Sequence, residues 1–353
     1  MKTRKYYHYA AARNIRGFSL IEFLVASILS MIVLIAAGSG FFMARQLNDV
    51  ATARLQVQQD LRHAANMIVR DARMAGSFGC FNMANISLGK ASVNGDDAGT
   101  TALNLRYGSG ATQQDAGIKV LDAAGFTGAT FNQFVPSAGN ALVFQYGVGS
   151  TAVTDWSDAS PNQIKFSTLA NSELASTSRN TPLVVSSCEV LDRLDSSKIS
   201  GVSNSSNIVT LNTTGLSSNH VISQLSVLRY AVHVYLVGRP SASEPVGFYR
   251  FELGSDGNWV GPQLLIKDVS SMALQFGYAK NCDTTEVFDF MNTIQAGASN
   301  IDSPTLLRVR LNNNVVAAEG RSAIAADAAA GNVGIYDIHA TIRGGNVCAD
   351  RAL

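Results

Sequence analysis

The sequence predicts an α+β fold: a long N-terminal α-helix, half suited to a membrane and half amphipathic, packed on a mostly antiparallel β-sheet head. Three observations predict it. Residues 18–42 form a nearly charge-free apolar run. From Leu47 to Ala75 an apolar stripe recurs at spacings of three and four. Beyond residue 140 the chain breaks into short runs rich in β-branched and aromatic residues, bounded by Gly, Asn, Asp or Ser. With 353 residues, 46% of them hydrophobic, the chain is long enough for a sizeable core or two adjoining ones.

The first element is a basic leader, residues 1–17. It holds Lys2, Arg4, Lys5, Arg13 and Arg16 and no acid. The formal net charge is +1; without those five residues, 22 basic side chains face 26 acidic ones, so the remainder is mildly acidic. Such a balance gives no electrostatic sign of a nucleic-acid partner.

The second element is residues 18–42, FSLIEFLVASILSMIVLIAAGSGFF. As a helix it spans about 37 Å, more than the roughly 30 Å of a bilayer core. Positive charge upstream of it places the N-terminus in the cytoplasm and the rest of the chain outside. A secretory signal peptide is the rival reading, with Ala36-Ala37-Gly38 as a cleavage site. The length of the run and its single charge, Glu22, weigh against that reading. An ionised carboxylate deep in a membrane helix costs roughly 2.5–3.5 kcal/mol. A cut between Gly17 and Phe18 would create an amine one helical turn from Glu22, about 6 Å along the axis, and pairing would offset that cost. An acid in the first turn also suits the helix dipole.

The third element, residues 43–75, continues the helix as a stalk. Its stripe is Leu47, Val50, Ala53, Val57, Leu61, Ala64, Ile68, Ala72 and Ala75, and Gly76 is a good C-terminal stop. No proline occurs before Pro136, so residues 18–75 can form one helix about 87 Å long. Gly38-Ser39-Gly40 is a place where a helix can bend or locally melt.

Residues 76–353 make the head. Residues 84–140 read as loops with short strands. Strands are expected at 141–148, 181–187, 207–213, 224–238, 246–253, 263–269, 272–279, 305–313 and 335–343. GSDGNW (254–259) reads as a hairpin loop. Cys80, Cys188, Cys282 and Cys348 include no CxxC pair, and an even count beyond a membrane-targeting segment suggests two disulfides. Four cysteines allow three connectivities. The favoured one is Cys80–Cys188, clamping the end of the stalk to a strand, with Cys282–Cys348 joining the C-terminal strands.

The stretch G-FSLIEFLVA, at Gly17 and beyond, closely resembles the processing site of type IV prepilins and type II secretion pseudopilins. The resemblance implies cleavage after Gly17 by a prepilin peptidase, N-methylation of Phe18, and use of Glu22 in filament assembly through the Phe18 amine of a neighbouring subunit. DLRHAANMIVRDARMAGSFGC (60–80), SSMALQFGYA, SPTLLRVRLNNNVV and HATIRGGN are similar to the PilW family of minor pilins. The pseudopilin GspJ shares the N-terminal plan. The family resemblance implies a pilin-like structural subunit, held in the bacterial inner membrane by a single pass and then moved into a pilus, near its tip. Its implied partners are other minor pilins, the major pilin, the inner-membrane assembly platform and a tip adhesin, in support of pilus assembly, adhesion and twitching motility.

The alternative of another class is an exported envelope enzyme with an atypical signal peptide. Against it, no GxSxG, Walker or GxGxxG motif occurs. The five histidines make no metal-ligand spacing, so no metal or cofactor is expected. His233, inside AVHVYLV, reads as a satisfied sheet residue. CDTTEVFD (282–289) lacks the calcium-loop spacing and reads as a solvated loop.

Overall fold

The computed structural model describes residues 19–87, 92–93, 98–99, 101–107, 117–157, 162–167, 173–174, 177–212, 220–279, 288–294, 303–313 and 335–342. Gly17, Phe18, Cys282 and Cys348 lie outside the described residues, as does 282–287 of the CDTTEVFD stretch. One helix, α1 (Leu20–Met74), contains both the apolar run and the stalk. The chain divides into two compact units, one ending at Gln58 and the other beginning at Gln59.

In the first unit α1 is helical through Gly38-Ser39-Gly40. Ser39 donates its hydroxyl to the Ala36 carbonyl at 2.9 Å, which keeps the polar group satisfied inside the helix.

In the second unit α1 ends where Gly76 adopts φ +76°, a conformation that costs a glycine little. The Gly76 N–H donates to the Gln145 carbonyl at 2.9 Å, and Gln145 N–H donates to the Gly117 carbonyl at 2.9 Å. The two backbones cross so closely that a Cβ on Gly117 would fall on the Gly76 amide. The pair of glycines thus sets how the helix enters the sheet.

Short elements follow: β1 (Ser77–Phe78), β2 (Phe81–Asn82), α2 (Ala84–Ser87), β3 (Ser92–Val93), β4 (Ala98–Gly99), β5 (Arg106–Tyr107), β6 (Ile118–Asp122) and β7 (Val135–Pro136). Then come β8 (Asn140–Ser157), β9 (Gln163–Phe166), β10 (Leu183–Ser186), β11 (Val190–Leu194), β12 (Ile199–Ser203) and β13 (Ile208–Leu211). The last are β14 (Ser226–Arg239), β15 (Gly247–Leu253), β16 (Trp259–Lys267), β17 (Val269–Ala279), β18 (Phe288–Met291), β19 (Leu306–Asn313) and β20 (Ile335–Thr341).

A large sheet has the order β12-β13-β9-β8-β14-β10-β11-β3, with β6 also on β8 and the β15–β16 hairpin on β14. A second sheet has the order β18-β17-β19-β20. Pairing is antiparallel except for β11 with β3 and β4 with β5. The head is therefore the expected mostly antiparallel, sheet-rich body that follows a long helix.

β14 and residues 141–146 of β8 bury both faces, which explains their nearly continuous apolar run. Val232, Val234 and Leu236 pack with Val143 and Phe251 on one face. Phe144, Tyr235 and Phe248 point the other way, into a core shared by Ala64, Ile68 and Ala72 of α1 and Phe276, Leu307 and Val309 of the second sheet. Each large aliphatic or aromatic side chain buried there contributes about 1.5–3 kcal/mol.

Several local readings differ from the structure. The strand expected at 263–269 is two strands in two sheets, because Asp268 takes φ +59° and turns the chain between β16 and β17. Strands at 163–166, 190–194 and 199–203 escape the pattern, and the end of the expected solvated loop at 282–289 is strand from Phe288, paired with β17. β11 reads VLDRL, and its buried Asp192 breaks the apolar run; the acid is tolerated because His220 pairs with it. The GSDGNW loop does close the β15–β16 hairpin, with Gly254 N–H donating to the Asn258 carbonyl and Asp256 capping Asn258.

Candidate assembly site

The residues from Leu20 to Met43 present large apolar side chains all round α1; Phe23 and Leu34 are each more than 70% exposed. A helix hydrophobic on every side needs an apolar environment around it. This one is long and apolar enough to cross a membrane. Its polar side chains are handled inside the helix. Ser27 donates to the Leu24 carbonyl and Ser30 to the Ala26 carbonyl.

Glu22 is the one charged side chain between Leu20 and Ala44. Its Oε2 accepts the Ser19 N–H at 3.0 Å. Ser19 precedes the first helical residue, so Ser19-x-x-Glu22 has the spacing of a capping box, and the acid satisfies a helix-end donor. That spacing was available in the sequence and is a second, local reason for an acid at this position. A cap of this kind contributes roughly 0.5–1 kcal/mol.

The other end of α1 carries a second carboxylate, which sequence reasoning missed. Asp71 is fully buried among residues of the sheet it faces. Its Oδ2 accepts the Tyr235 hydroxyl at 2.6 Å and lies 2.7 Å from His233 Nδ1. Its Oδ1 accepts the Tyr146 hydroxyl at 3.0 Å. Arg250 approaches Oδ2 at 4.0 Å, and Arg70, largely exposed, approaches Oδ1 at 3.5 Å.

Strand register assembles this cluster. Within the sheet Tyr235 pairs with Arg250 and His233 with Glu252, and Ala231 brings Tyr146 alongside. Alternation along β8, β14 and β15 then sends Tyr146, His233, Tyr235 and Arg250 to the helix face. The hydrogen bonds specify one tautomer. Arg250 Nη2, which can only donate, sits 2.9 Å from His233 Nε2, so Nε2 accepts and Nδ1–H donates to Asp71. Arg250 Nη1 also pairs with Glu252 at 3.0 Å, leading the network toward solvent.

Burial by itself would raise the Asp71 pKa. The hydrogen bonds from His233 and Tyr235 and the charge of Arg250 outweigh it and hold the carboxyl below its usual range. Burial, together with the neighbouring Asp71 charge, pushes the Tyr146 and Tyr235 hydroxyls well above theirs. The sequence signal for Asp71 was its spacing: three after Ile68 and four before Ala75, it lies on the apolar face of the stalk.

Cys80 and Cys188 are joined as a disulfide with a Cα–Cα distance of 4.9 Å. Among the described residues no group of His, Cys, Asp and Glu has an arrangement that could hold a metal.

A family model described as the prokaryotic N-terminal methylation motif matches residues 12–38. No curated protein and no solved structure matches the chain. The match covers the end of the leader, Glu22 and most of the apolar run. The chain therefore carries the N-terminal signal of a type IV pilin- or pseudopilin-like protein, a signal that implies prepilin peptidase processing and assembly with other pilins. With the spanning-length helix behind it, this fits a membrane-anchored protein.

Proposed function

We propose that the protein is a minor pilin similar to the PilW family, a structural subunit of the priming or tip complex of a type IV pilus and not an enzyme. The observation that supports this reading best is the methylation motif at residues 12–38, in register with an exposed apolar helix that opens on Glu22. Prepilin peptidase cuts after Gly17, and the new amine of Phe18 is methylated. The helix holds the subunit in the inner membrane until it is drawn into the filament. There Glu22 exchanges its Ser19 cap for the Phe18 amine of a neighbouring subunit. Partners are the major pilin, other minor pilins, the assembly platform and a tip adhesin.

Two measurements test this reading. Mass spectrometry of the mature N-terminus should find methylated Phe18; a start near Gly38 would mean a secretory signal peptide instead. Glu22→Ala should leave cleavage and insertion intact and lower recovery of the protein in sheared pili by about tenfold or more, the effect of one lost buried charge pair. Normal recovery would remove Glu22 from assembly. Recovery with a secretion pseudopilus and not with pili would assign the chain to the GspJ-like class.

A further inference from the structure

Ser187, His220 and Asp192 align as nucleophile, base and acid do in hydrolases. His220 Nε2 lies 2.5 Å from Asp192 Oδ2, and His220 Nδ1 lies 3.2 Å from Ser187 Oγ. All three residues are buried. Ser187 Oγ also accepts the Val190 N–H at 3.2 Å, so the hydroxyl is occupied and shielded from any substrate. The arrangement does something else. Ser187 N–H donates to the Val190 carbonyl at 2.9 Å, closing a tight turn around Cys188 and Glu189. Val190 N–H donates to Ser187 Oγ, the Ser187 hydroxyl lies 3.4 Å from the Val190 carbonyl and 3.2 Å from His220 Nδ1, and His220 Nε2 meets the Asp192 carboxylate. This chain ties the Cys188 turn to β11 and to the segment at His220.

The opposite tip is held separately. Cys80 follows Gly79 (φ +71°) at the turn of the β1–β2 hairpin, between the buried Phe78 and Phe81. Ser186 Oγ donates to the Phe78 carbonyl at 2.7 Å and meets Ser226 Oγ at 3.1 Å, beneath Gly79. Two hairpin tips are thus positioned by contacts that do not involve sulfur. Cys80 is exposed to solvent and Cys188 half-buried.

We propose that Cys80–Cys188 is a reversible redox staple, reachable by small thiols, whose Cys188 side is positioned by Ser187, His220 and Asp192. The head stays folded when the bridge is reduced. The bridge then re-forms in place: the Cys80 thiolate attacks oxidised glutathione and releases one reduced glutathione, and the Cys188 thiolate displaces the second. Each bridge formed consumes one oxidised glutathione and yields two reduced ones.

The test uses full-length protein in detergent. It is reduced with dithiothreitol, freed of it, and equilibrated with mixtures of reduced and oxidised glutathione; differential alkylation and peptide mapping follow Cys80 and Cys188 specifically. The near-ultraviolet circular dichroism should survive reduction, and the bridge should re-form without denaturant. His220→Gln should shift the glutathione equilibrium toward the dithiol by about tenfold and Ser187→Ala by a few-fold, the range expected for losing hydrogen bonds to a charged and a neutral partner. Val309→Ala, a core change in β19 far in sequence from both tips, should lower the melting temperature and leave that equilibrium unmoved, which separates positioning from general stability. Ser187→Ala keeps the His220–Asp192 pair, so it carries the test if His220→Gln does not fold. Loss of the near-ultraviolet signal on reduction, or a wild-type equilibrium in whichever of the two variants folds, would overturn the proposal.

Discussion

Glu22 and Asp71 are acids at opposite ends of one helix, and the chain accommodates them in opposite ways. Glu22 stands in a stretch whose apolar side chains are exposed, and its partner is a backbone N–H three residues away. Asp71 is fully buried, and its hydrogen-bond partners come from β8 and β14, at sequence separations of 75, 162 and 164. The first carboxylate keeps an exchangeable, single partner. The second is saturated by two tyrosines and a histidine, with Arg250 beside it, and has nothing to exchange with. The acid proposed to act in assembly and the acid buried in the head therefore differ in how many native groups satisfy them.

The largest effect that could break this comparison is on head stability. Asp71→Ala strips His233, Tyr146, Tyr235 and Arg250 of a common acceptor. Leaving the buried His233, Tyr146 and Tyr235 donors without their acceptor, with Arg250 still paired to Glu252, should cost about 3–5 kcal/mol, measured by urea unfolding of the detergent-solubilised protein. A cost under about 1 kcal/mol would show that Asp71 is not the centre of the network. Gly117→Ala should come next, at about 1–3 kcal/mol or more, because its Cβ has no room beside the Gly76 amide.

A smaller effect lies in the pH dependence. Asp71 has a folded pKa held below its unfolded value, so its contribution is present above about pH 4 and is lost as pH falls through the lowered value. The raised tyrosines act at the other extreme: their contribution is complete below about pH 10 and is lost as pH rises beyond it. Unfolding free energy followed against pH should show both limbs, and Tyr235→Phe should weaken both while costing about 1–2 kcal/mol at neutral pH. An unchanged acid limb in Asp71→Asn would assign that limb to other carboxylates.

The smallest effect belongs to Glu22. Glu22→Gln should change head unfolding by less than about 0.5 kcal/mol, since its hydrogen-bond partner is the local Ser19 N–H. If the comparison is sound, this variant is nearly silent in a stability assay and loud in a pilus-recovery assay, while Asp71→Ala shows the reverse order.

What was legible in the sequence was local. The basic leader, the glycine before Phe18, Glu22 and the spanning-length run are contiguous, so one short stretch carries the entire signal, and the methylation-motif match covers the end of the leader and most of the run. The helix through Met74, the Gly76 stop and the β15–β16 loop are likewise read from neighbours in sequence. Strand β11 was hidden because its Asp192 looks wrong for a buried position until His220 is seen beside it.

Sequence by itself determined that a long helix begins with a processing signal and continues into a β-rich head, because period, charge and helix-end chemistry act over a few residues. Only the tertiary structure decided what the stalk's acid does. Asp71 lies on the apolar stripe with Ala64, Ile68 and Ala72, yet its ionised, buried state depends on β-strand register that brings Tyr146, His233, Tyr235 and Arg250 to one face. A buried charge is set by the groups that replace its water, and those groups are neighbours in space, not along the chain.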